Sequence, residues 1–254
     1  MSRVYALARR SVVRTLRQPA MVVPSIIFPL LLLSINSSGL NSATLLPGFP
    51  TDSYFQFAIA IPFIQGALFS AMSAGTNVAS DIESGFLNRL SLTPLRRVAL
   101  MMGQLSGILA LGLIQALAFL TIGIAFGDGL ATGPGGVVVL LLLSLTITLA
   151  FGCIGAFVAL RTGSGEAVQG VFPLFFAALF LSSMSLPRDL IATDWYRTVA
   201  TWNPVSYMLE GIRSLFITGW DGEALLLGFA CAGGLALIAL TAAAAALRTR
   251  MVRT

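Results

Sequence analysis

The sequence contains no lysine and no histidine, and only 10% of its 254 residues are charged. Without lysine the chain cannot form the phosphate-binding loop of many ATPases, because that loop needs a lysine to reach the nucleotide phosphates. Without histidine, Ser-His-Asp triads, Cys-His pairs and histidine-ligated zinc sites are excluded. The chain therefore carries no ATPase site of that type, and hydrolases or zinc enzymes that depend on histidine are ruled out.

Hydrophobic residues make up 57% of the chain, and the mean hydropathy is +0.91. Such a composition is far too apolar for a water-soluble domain. Six apolar stretches approach or exceed the roughly 20 residues that an α-helix needs to cross the hydrocarbon core of a bilayer. Cys153 and Cys231 lie inside these stretches, where cysteine acts as a small hydrophobic residue. We predict an all-α integral membrane protein, a single domain over residues 1–254, with spans at 22–39, 55–79, 98–126, 137–160, 167–186 and 224–247.

All 15 basic residues are arginine, and they are unevenly distributed among the connections between the spans. Twelve lie in the N-terminal segment, the loops after the second and fourth spans, and the C-terminal tail. Only Arg188, Arg197 and Arg213 lie on the other side, before the last span. Because cytoplasmic connections carry the excess of arginine, both termini are predicted to be cytoplasmic, which agrees with an even number of spans. The net charge of +5 therefore indicates orientation and membrane lipids, and no nucleic acid partner.

Residues 1–19 place apolar side chains three and four positions apart, with arginines between them. This pattern predicts an amphipathic helix on the cytoplasmic surface, with its arginines among anionic lipid head groups. The helix should end near Gln18, because Pro19 disfavours helix in the residue before it. The alternative is an ordinary positively charged flank of the first span.

Residues 81–97, between the second and third spans, form a polar loop that contains exposed apolar residues. Phe86, Leu87 and Leu90 have helical spacing, and Pro94 stops a helix near Thr93. Acidic residues at the start of the loop and arginines at its end suit the helix dipole. A short amphipathic helix is therefore predicted, whose leucines either dip into the membrane interface or dock into a groove on a cytoplasmic partner.

Residues 187–221, before the last span, contain all three tryptophans and two prolines, Pro187 and Pro204. Tryptophan is enriched at lipid-water interfaces. We predict two short helices that enter the outer leaflet and turn back, with an exposed extracytoplasmic loop as the alternative. Glu210 and Arg213 lie one helical turn apart and could form an ion pair, as could Arg188 and Asp189 with neighbours.

The predicted spans contain almost no ionisable residues, which argues against a proton-coupled transporter and against an ion channel. Neutral amides and phenylalanines lie on the first two spans instead. They suit a pathway for a large amphiphile, although aromatic residues facing lipid and amides bridging helices would explain them equally well. The candidate pathway residues are Phe28, Gln56, Phe63, Gln65, Phe69 and Asn77.

Two motifs stand in a fixed order along the chain. The first is Glu-x-Gly-x-x-x-x-Leu-x-x-Thr-Pro, and the second runs from Leu186-Pro187 through Asn203-Pro204 to Arg213. With these motifs and six spans, the whole chain resembles the membrane subunit, or permease, of type-2 ATP-binding-cassette exporters, and within them the daunorubicin and multidrug exporter permeases of bacteria. The middle of the first motif, Phe-Leu-Asn, departs from the commoner Thr-Leu-Glu, which affects the expected contacts with the partner.

The resemblance implies an exporter of a drug, lipid or similar molecule in the bacterial cytoplasmic membrane. It implies two permease copies, as a homodimer, over two separate ATP-binding subunits, with ATP and magnesium bound to those subunits. This chain would carry no cofactor, metal or catalytic residue. A membrane-embedded lipid-modifying enzyme and a scaffold or sensor subunit are the rival functions. The coupling helix would comprise Glu83, Gly85, Phe86, Leu87, Leu90, Thr93, Pro94 and Arg97, and the re-entrant segment would include Pro187, Trp202, Asn203, Pro204, Tyr207, Glu210 and Arg213.

Overall fold

The computed structural model describes residues 2–85 and 97–252. All regular structure within these residues is helical. Short 3-10 turns occur at Asn41–Leu45 and Arg188–Leu190. The α-helices are α1 (Ser2–Leu16), α2 (Pro19–Gly39), α3 (Tyr54–Ala58), α4 (Ala60–Glu83), α5 (Arg97–Phe126), α6 (Pro134–Thr162), α7 (Gly165–Phe180), α8 (Asp194–Trp202), α9 (Pro204–Phe216) and α10 (Gly222–Val252).

Five helical segments in the described residues are long and apolar enough to cross a membrane: α2, α3 with α4, α5, α6 and α10. A shorter apolar helix, α7, has 16 residues. The prediction of an all-α, multi-span membrane protein is therefore confirmed. The fifth span, expected to reach Leu186, is helical only to Phe180. Beyond it the chain turns, and its backbone groups bond to side chains from later helices instead of continuing the helix.

The helices form a bundle with two distinct ends. At the Asp81 end, α1 meets the last turn of α4, and Arg250 of α10 donates a hydrogen bond to the carbonyl oxygen of Leu160 on α6. At the Arg213 end, α9 meets α3 and the segment after α7. The described parts of the N-terminal and C-terminal segments therefore both lie at the Asp81 end.

Helix α4 forms the centre of the bundle, because 89% of its span is buried, compared with 17% for α2 and 22% for α10. Glycines allow the closest approach of its neighbours. A Cβ at Gly155 on α6 would lie 1.9 Å from the carbonyl oxygen of Ala71 on α4, and one at Gly75 would lie 2.4 Å from a Val168 methyl carbon on α7. Small residues thus serve packing within one chain, as is common for membrane helices.

Buried polar side chains also link the helices in the middle of the bundle. The Gln115 amide on α5 donates to Ser25 on α2 at 2.8 Å and accepts from Ser70 on α4 at 3.1 Å. These bonds satisfy groups that would be costly to leave unpaired in an apolar medium. The outer surfaces of α2, α7 and α10 are instead apolar and exposed, for example at Leu31, Leu174 and Leu237.

Candidate functional site

A buried carboxylate lies at the cytoplasmic end of α4 in the predicted orientation. Asp81 is 5% exposed, and its Oδ1 atom accepts hydrogen bonds from Arg14 at 2.7 Å and Arg10 at 3.3 Å. Both arginines belong to α1, where they are four positions apart and so share one face of that helix. The charge pairs therefore fasten α1 to the end of α4.

Helix α1 also packs against the start of α5. Ser106 on α5 donates to the carbonyl oxygen of Ala8 at 3.3 Å. A Cβ at Gly107 would lie 2.4 Å from the Ser11 hydroxyl oxygen and 2.8 Å from its carbonyl oxygen, so the two helix backbones are in close contact there. Because α4 and α5 flank the predicted coupling loop, α1 bridges the two helices on either side of it.

The start of the predicted coupling loop is described by the structure. Glu83 is exposed on the last turn of α4. Gly85 has a φ of +65°, in the left-handed region that favours glycine, and its N–H bonds to the Ile82 carbonyl oxygen at 3.0 Å, so it ends the helix. Arg97 begins α5. The remaining coupling residues, Phe86, Leu87, Leu90, Thr93 and Pro94, lie outside the described residues.

A buried guanidinium lies at the opposite end of the bundle. Arg213 on α9 is 6% exposed, and its Nε donates to the Phe57 carbonyl oxygen at 2.9 Å. Its Nη2 donates to the carbonyl oxygens of Ser183 at 3.2 Å and Met184 at 3.4 Å. The guanidinium carbon also lies 3.5 Å from the centre of the Phe57 ring. One side chain thus joins α9, the end of α3 and the segment after α7.

Other side chains bond to the backbone carbonyl oxygens around the end of α7. Asn203 donates to Ala178 at 2.6 Å and Leu181 at 3.2 Å. The Tyr196 hydroxyl lies 2.8 Å from the carbonyl oxygen of Phe180 and 3.1 Å from that of Ser182. The Tyr54 hydroxyl donates to Ser185 at 2.9 Å. The end of a helix leaves backbone carbonyl oxygens without partners in the helix, and a helix that breaks within a membrane protein needs other partners for them. These hydrogen bonds supply such partners.

The ion pair at this end differs from the one suggested by the sequence. Glu210 pairs with Arg188 at 2.7 Å and accepts from Ser183 at 3.0 Å, whereas Arg213 bonds to carbonyl oxygens. The side chains of Glu210 and Arg213 thus have different neighbours, although they are one turn apart. The ion pair that the spacing of Glu210 and Arg213 allows is therefore absent, and Arg188 pairs with Glu210, 22 positions along the chain.

The environment of Arg188 stabilises its charge. Burial lowers the pKa of its guanidinium, but the Glu210 carboxylate and the Tyr207 hydroxyl together raise it more, and the net shift is upward. The guanidinium carbon lies 4.4 Å from the centre of the Tyr207 ring. Arg188, Glu210 and Arg213 line a cavity of about 350 Å³, together with Pro187 and Asp221.

The remaining residues of the re-entrant segment occupy the junction of α8 and α9. Trp202 is the last residue of α8 and is 84% exposed. Asn203 caps α9 by accepting from the Val205 N–H at 3.0 Å, and Pro204 occupies the first turn, where a missing N–H costs nothing. Tyr207 donates to the carbonyl oxygen of Thr201 at 2.9 Å. The predicted two short helices are therefore present in the structure.

The candidate pathway residues occupy different environments. Phe28 is 41% exposed and contacts Phe69, whose ring centre is 5.9 Å away. Phe63 and Gln65 are buried, and the Gln65 Oε1 atom has no hydrogen-bond partner within the described part of the chain. Asn77 donates to Ser73 at 3.5 Å. These residues therefore do not share one open surface in this conformation.

Gln56 lies at the Arg213 end of the bundle. Its position in the predicted second span had suggested a location deeper in the membrane. Its side chain bonds to Asp128 in the connection between α5 and α6, and it accepts from Thr51 at 2.6 Å. The helix begins only at Tyr54, so Gln56 belongs to the first turn of that span. Gln56 thus links the connection before α3 to the connection between α5 and α6.

The family model of the ABC-2 type transporters matches residues 2–217. The chain belongs to this family. It is therefore the transmembrane permease component of an ABC-2 type transporter, and its domain lacks the nucleotide-binding site. Permeases of ATP-binding-cassette transporters pair with ATP-binding subunits. The resemblance drawn from the two motifs is confirmed at this level.

Curated relatives of this ABC-2 permease are also transport permeases by name. The chain is 24% identical over 220 residues to the "Putative transport permease ycf38" of Porphyra purpurea, covering 86% of this chain and 75% of the relative. Proteins of the same name from Cyanophora paradoxa and Pyropia yezoensis are 25% and 26% identical over 215 residues, covering 84% of this chain and 73% of each relative. None of these names states a substrate.

The sequence did not reveal the roles of one carboxylate and two tyrosine hydroxyls that hold the helices of this permease together. Asp81 was interpreted as one of the acidic residues at the start of the coupling loop, although a carboxylate at the apolar end of a span is a signal that a partner is needed. Tyr54 and Tyr196 were not singled out as partners of backbone carbonyls, because no local pattern indicates which distant carbonyl a tyrosine will reach.

Proposed function

We propose that this permease moves a hydrophobic or amphiphilic substrate, such as a drug or a lipid-like molecule, outward from the cytoplasm or the inner leaflet. Two copies of a separate cytoplasmic ATP-binding subunit supply the energy, and two copies of the permease form a homodimer. The complex works in the bacterial cytoplasmic membrane, with both termini of the permease in the cytoplasm. Residues 1–254 act as one transmembrane domain.

The observation that carries the proposal is the fastening of α1 to both helices that flank the coupling loop. A permease without a nucleotide site must receive motion from its partner, and rigid packed elements can transmit such motion. The Asp81 ion pairs and the contact at Gly107 make α1, the end of α4 and the start of α5 one unit. Displacement of the loop by the ATP-binding subunit would then move this unit as a whole.

The charge distribution supports the orientation. Arg9, Arg10 and Arg14 lie on α1, and Arg161 and Arg250 lie near the same end of the bundle. An arginine-rich end is typical of the cytoplasmic side. The described arginines at the other end are Arg188, Arg197 and Arg213, of which Arg188 and Arg197 pair with acidic residues and Arg213 bonds to backbone carbonyl oxygens.

A row of phenyl rings supports an amphiphilic substrate. Phe28 contacts Phe69 and Phe176, whose ring centres lie 5.9 Å and 6.3 Å away. Phe172 lies between Phe69 and Phe176, at 5.3 Å and 5.0 Å, and Phe180 continues the row. The row runs along α2, α4 and α7 and is exposed at Phe28 and Phe180. Within the proposed pathway, Phe28 and Phe69 are thus the residues placed to contact substrate.

The coupling is tested by reconstituting the permease with its ATP-binding subunit in vesicles. Asp81→Asn keeps the shape of the side chain but removes the charge that both arginines need. It should lower substrate-dependent ATP hydrolysis and export severalfold while the ATP-binding subunit remains bound. Leu90→Asp, in the predicted docking segment, should lower binding of that subunit itself.

Glu166→Gln is the matched control, because Glu166 is an exposed acidic residue on the first turn of α7 at the same end. It should leave export unchanged. Undiminished export in both Asp81→Asn and Leu90→Asp would refute the proposed coupling. Conversion of a lipid by the permease alone, without ATP, would favour the rival function of a membrane-embedded enzyme. An ATP-binding subunit that binds without any transport would favour a scaffold or sensor.

A further inference from the structure

Helix α8 differs from its neighbour α9 in its surroundings. Ten of the thirteen residues of α9 are buried, whereas α8 has nine residues and buries only Ala200. At about 100° per residue, the side chains of α8 divide into three sectors around its axis. Each sector has a different chemical character.

The first sector faces the protein. Tyr196 and Ala200 lie one turn apart on this side, and Ala200 is fully buried. The Tyr196 hydroxyl reaches the carbonyl oxygens of Phe180 and Ser182 at the end of α7. This sector therefore fixes α8 at the height of the last turn of α7.

The second sector is polar. Asp194 and Arg197 form an ion pair, and Thr198 and Thr201 donate hydrogen bonds to carbonyl oxygens of their own helix. All four side chains are exposed. Such a face suits water or lipid head groups.

The third sector is apolar and exposed. Trp195, Val199 and Trp202 follow one another at spacings of four and three residues, so they lie within about 60° of one another around the axis. They are 63%, 38% and 84% exposed. Two exposed tryptophans that share one face of a short helix, two turns apart, indicate an interaction surface.

Helix α8 lies at the exposed apolar end of α7, to which Tyr196 bonds. Leu174, Phe180 and Leu181 are 67%, 54% and 37% exposed, and they end at the level where Tyr196 bonds to α7. The apolar part of a membrane-spanning helix ends at the level where the acyl chains end. Tryptophan prefers the boundary between head groups and acyl chains, which is where such a helix ends.

We propose that α8 is an interfacial helix that lies flat on the bilayer surface at the Arg213 end, with Trp195, Val199 and Trp202 inserted among the lipids. Of the two helices of the predicted re-entrant segment, only α9 is then enclosed by protein, and α8 does not enter the leaflet end-on. The inference rests on the proposed orientation of the transporter in one respect: that orientation assigns the Arg213 end to the outer leaflet. Through Tyr196 and Asn203, the lipid-bound helix holds the end of α7 at a fixed depth.

The chain has three tryptophans, which makes a depth measurement direct. Three variants each retain one indole, with the other two tryptophans replaced by phenylalanine. Each variant is reconstituted in phosphatidylcholine vesicles that carry bromine near either the head-group end or the methyl end of the acyl chain. Bromine quenches indole fluorescence on contact, and the measurement needs neither ATP nor the ATP-binding subunit, so its outcome is independent of the proposed export.

A flat interfacial helix requires that Trp195 and Trp202 be quenched equally, and more strongly by the shallow bromine than by the deep one. A helix that enters end-on would separate the two residues by about 10 Å along the bilayer normal. One indole would then be quenched more by the deep bromine, and the proposal would be overturned. Absence of quenching at both positions would also overturn it, because the face would then be in water or covered by a second copy of the chain. Trp220, exposed at the turn before α10, serves as the reference for an indole outside α8.

Discussion

The two ends of the bundle are held by different kinds of interaction. At the Asp81 end, one buried carboxylate binds two arginines whose side chains are 46% and 27% exposed. At the Arg213 end, a guanidinium that is 6% exposed bonds to three backbone carbonyl oxygens, and Asn203, Tyr196 and Tyr54 bond to five more. The Asp81 end is joined by charge pairs whose arginines are partly exposed, whereas the centre of the Arg213 end is a buried guanidinium, with part-buried or exposed hydrogen bonds and the Arg188–Glu210 pair around it.

This difference bears on which end can move during transport. Water and salt reach the partly exposed arginines and weaken their attraction to Asp81, although Asp81 itself is buried. A buried cation has no such compensation, and removing its partners leaves an uncompensated charge. The Asp81 end is therefore suited to a part that shifts with the ATP-binding subunit, and the Arg213 end to a fixed frame.

The largest effect is expected for Arg213→Gln. Gln cannot reach the Phe57 carbonyl and the segment after α7 together, so carbonyl oxygens lose their partner at a cost of about 3 kcal/mol or more. The unfolding temperature in detergent should fall markedly. Arg213→Lys should give an intermediate loss, because an ammonium lacks the planar fork of a guanidinium.

Arg197→Gln is the control at the same end, since the Arg197 side chain is 47% exposed and pairs only with its own helix neighbour Asp194. It should change stability by less than about 0.5 kcal/mol. Equal unfolding temperatures for Arg213→Gln and Arg197→Gln would contradict the idea of a rigid Arg213 end.

A smaller loss is expected for Asn203→Ala. This change removes the cap of α9 and the donor to Ala178 and Leu181, and loss of a helix cap typically costs about 1 kcal/mol. Hydrogen exchange of the first turn of α9 should quicken. Thr201→Ala, two residues earlier, removes a bond within α8 only and should leave that exchange unchanged. A similar response in both variants would show that Asn203 has no special role.

The smallest effect is expected from salt. Raising the ionic strength from about 0.1 M to 1 M shortens the screening length from ~10 Å to ~3 Å. Hydrogen exchange of α1 should then increase by at most about fivefold, because exposed pairs contribute only ~0–1 kcal/mol. In α9 any response should be confined to the turn at Glu210, whose pair with Arg188 is also partly exposed. In Asp81→Asn the salt response of α1 should disappear, and its persistence would assign the attachment of α1 to other contacts.

Much of this architecture follows from local patterns in the sequence. The apolar stretches near 20 residues indicated the spans, and the two prolines of residues 187–221 indicated two short helices, because these signals depend on composition and on neighbours along the chain. The end of α7 could not be predicted in the same way. Residues 181–186 contain three serines, two leucines and a methionine, a composition that does not fix where the helix ends. The side chains of Tyr196, Asn203 and Arg213 bond to the backbone of the non-helical path and stabilise it.

The pairing of charges shows the same limit. Glu210 and Arg213 are one turn apart on α9, a spacing that allows an ion pair on an isolated helix. In the folded chain Arg188 approaches Glu210 from one side, and carbonyl oxygens of two other segments surround Arg213. Each side chain is thus held by tertiary contacts, and these decide the partners.

The absence of lysine and histidine, the apolar stretches and the placement of arginine determined by themselves that this is a multi-span protein without a phosphate-loop ATPase site. These properties depend on how each residue partitions between water and lipid, which is local to the chain. Only the tertiary structure decided that Asp81 fastens α1 and that Arg213 is enclosed by backbone carbonyls. Those bonds join residues 67 and 156 positions apart, and only packing of the whole bundle can bring such groups within hydrogen-bond distance.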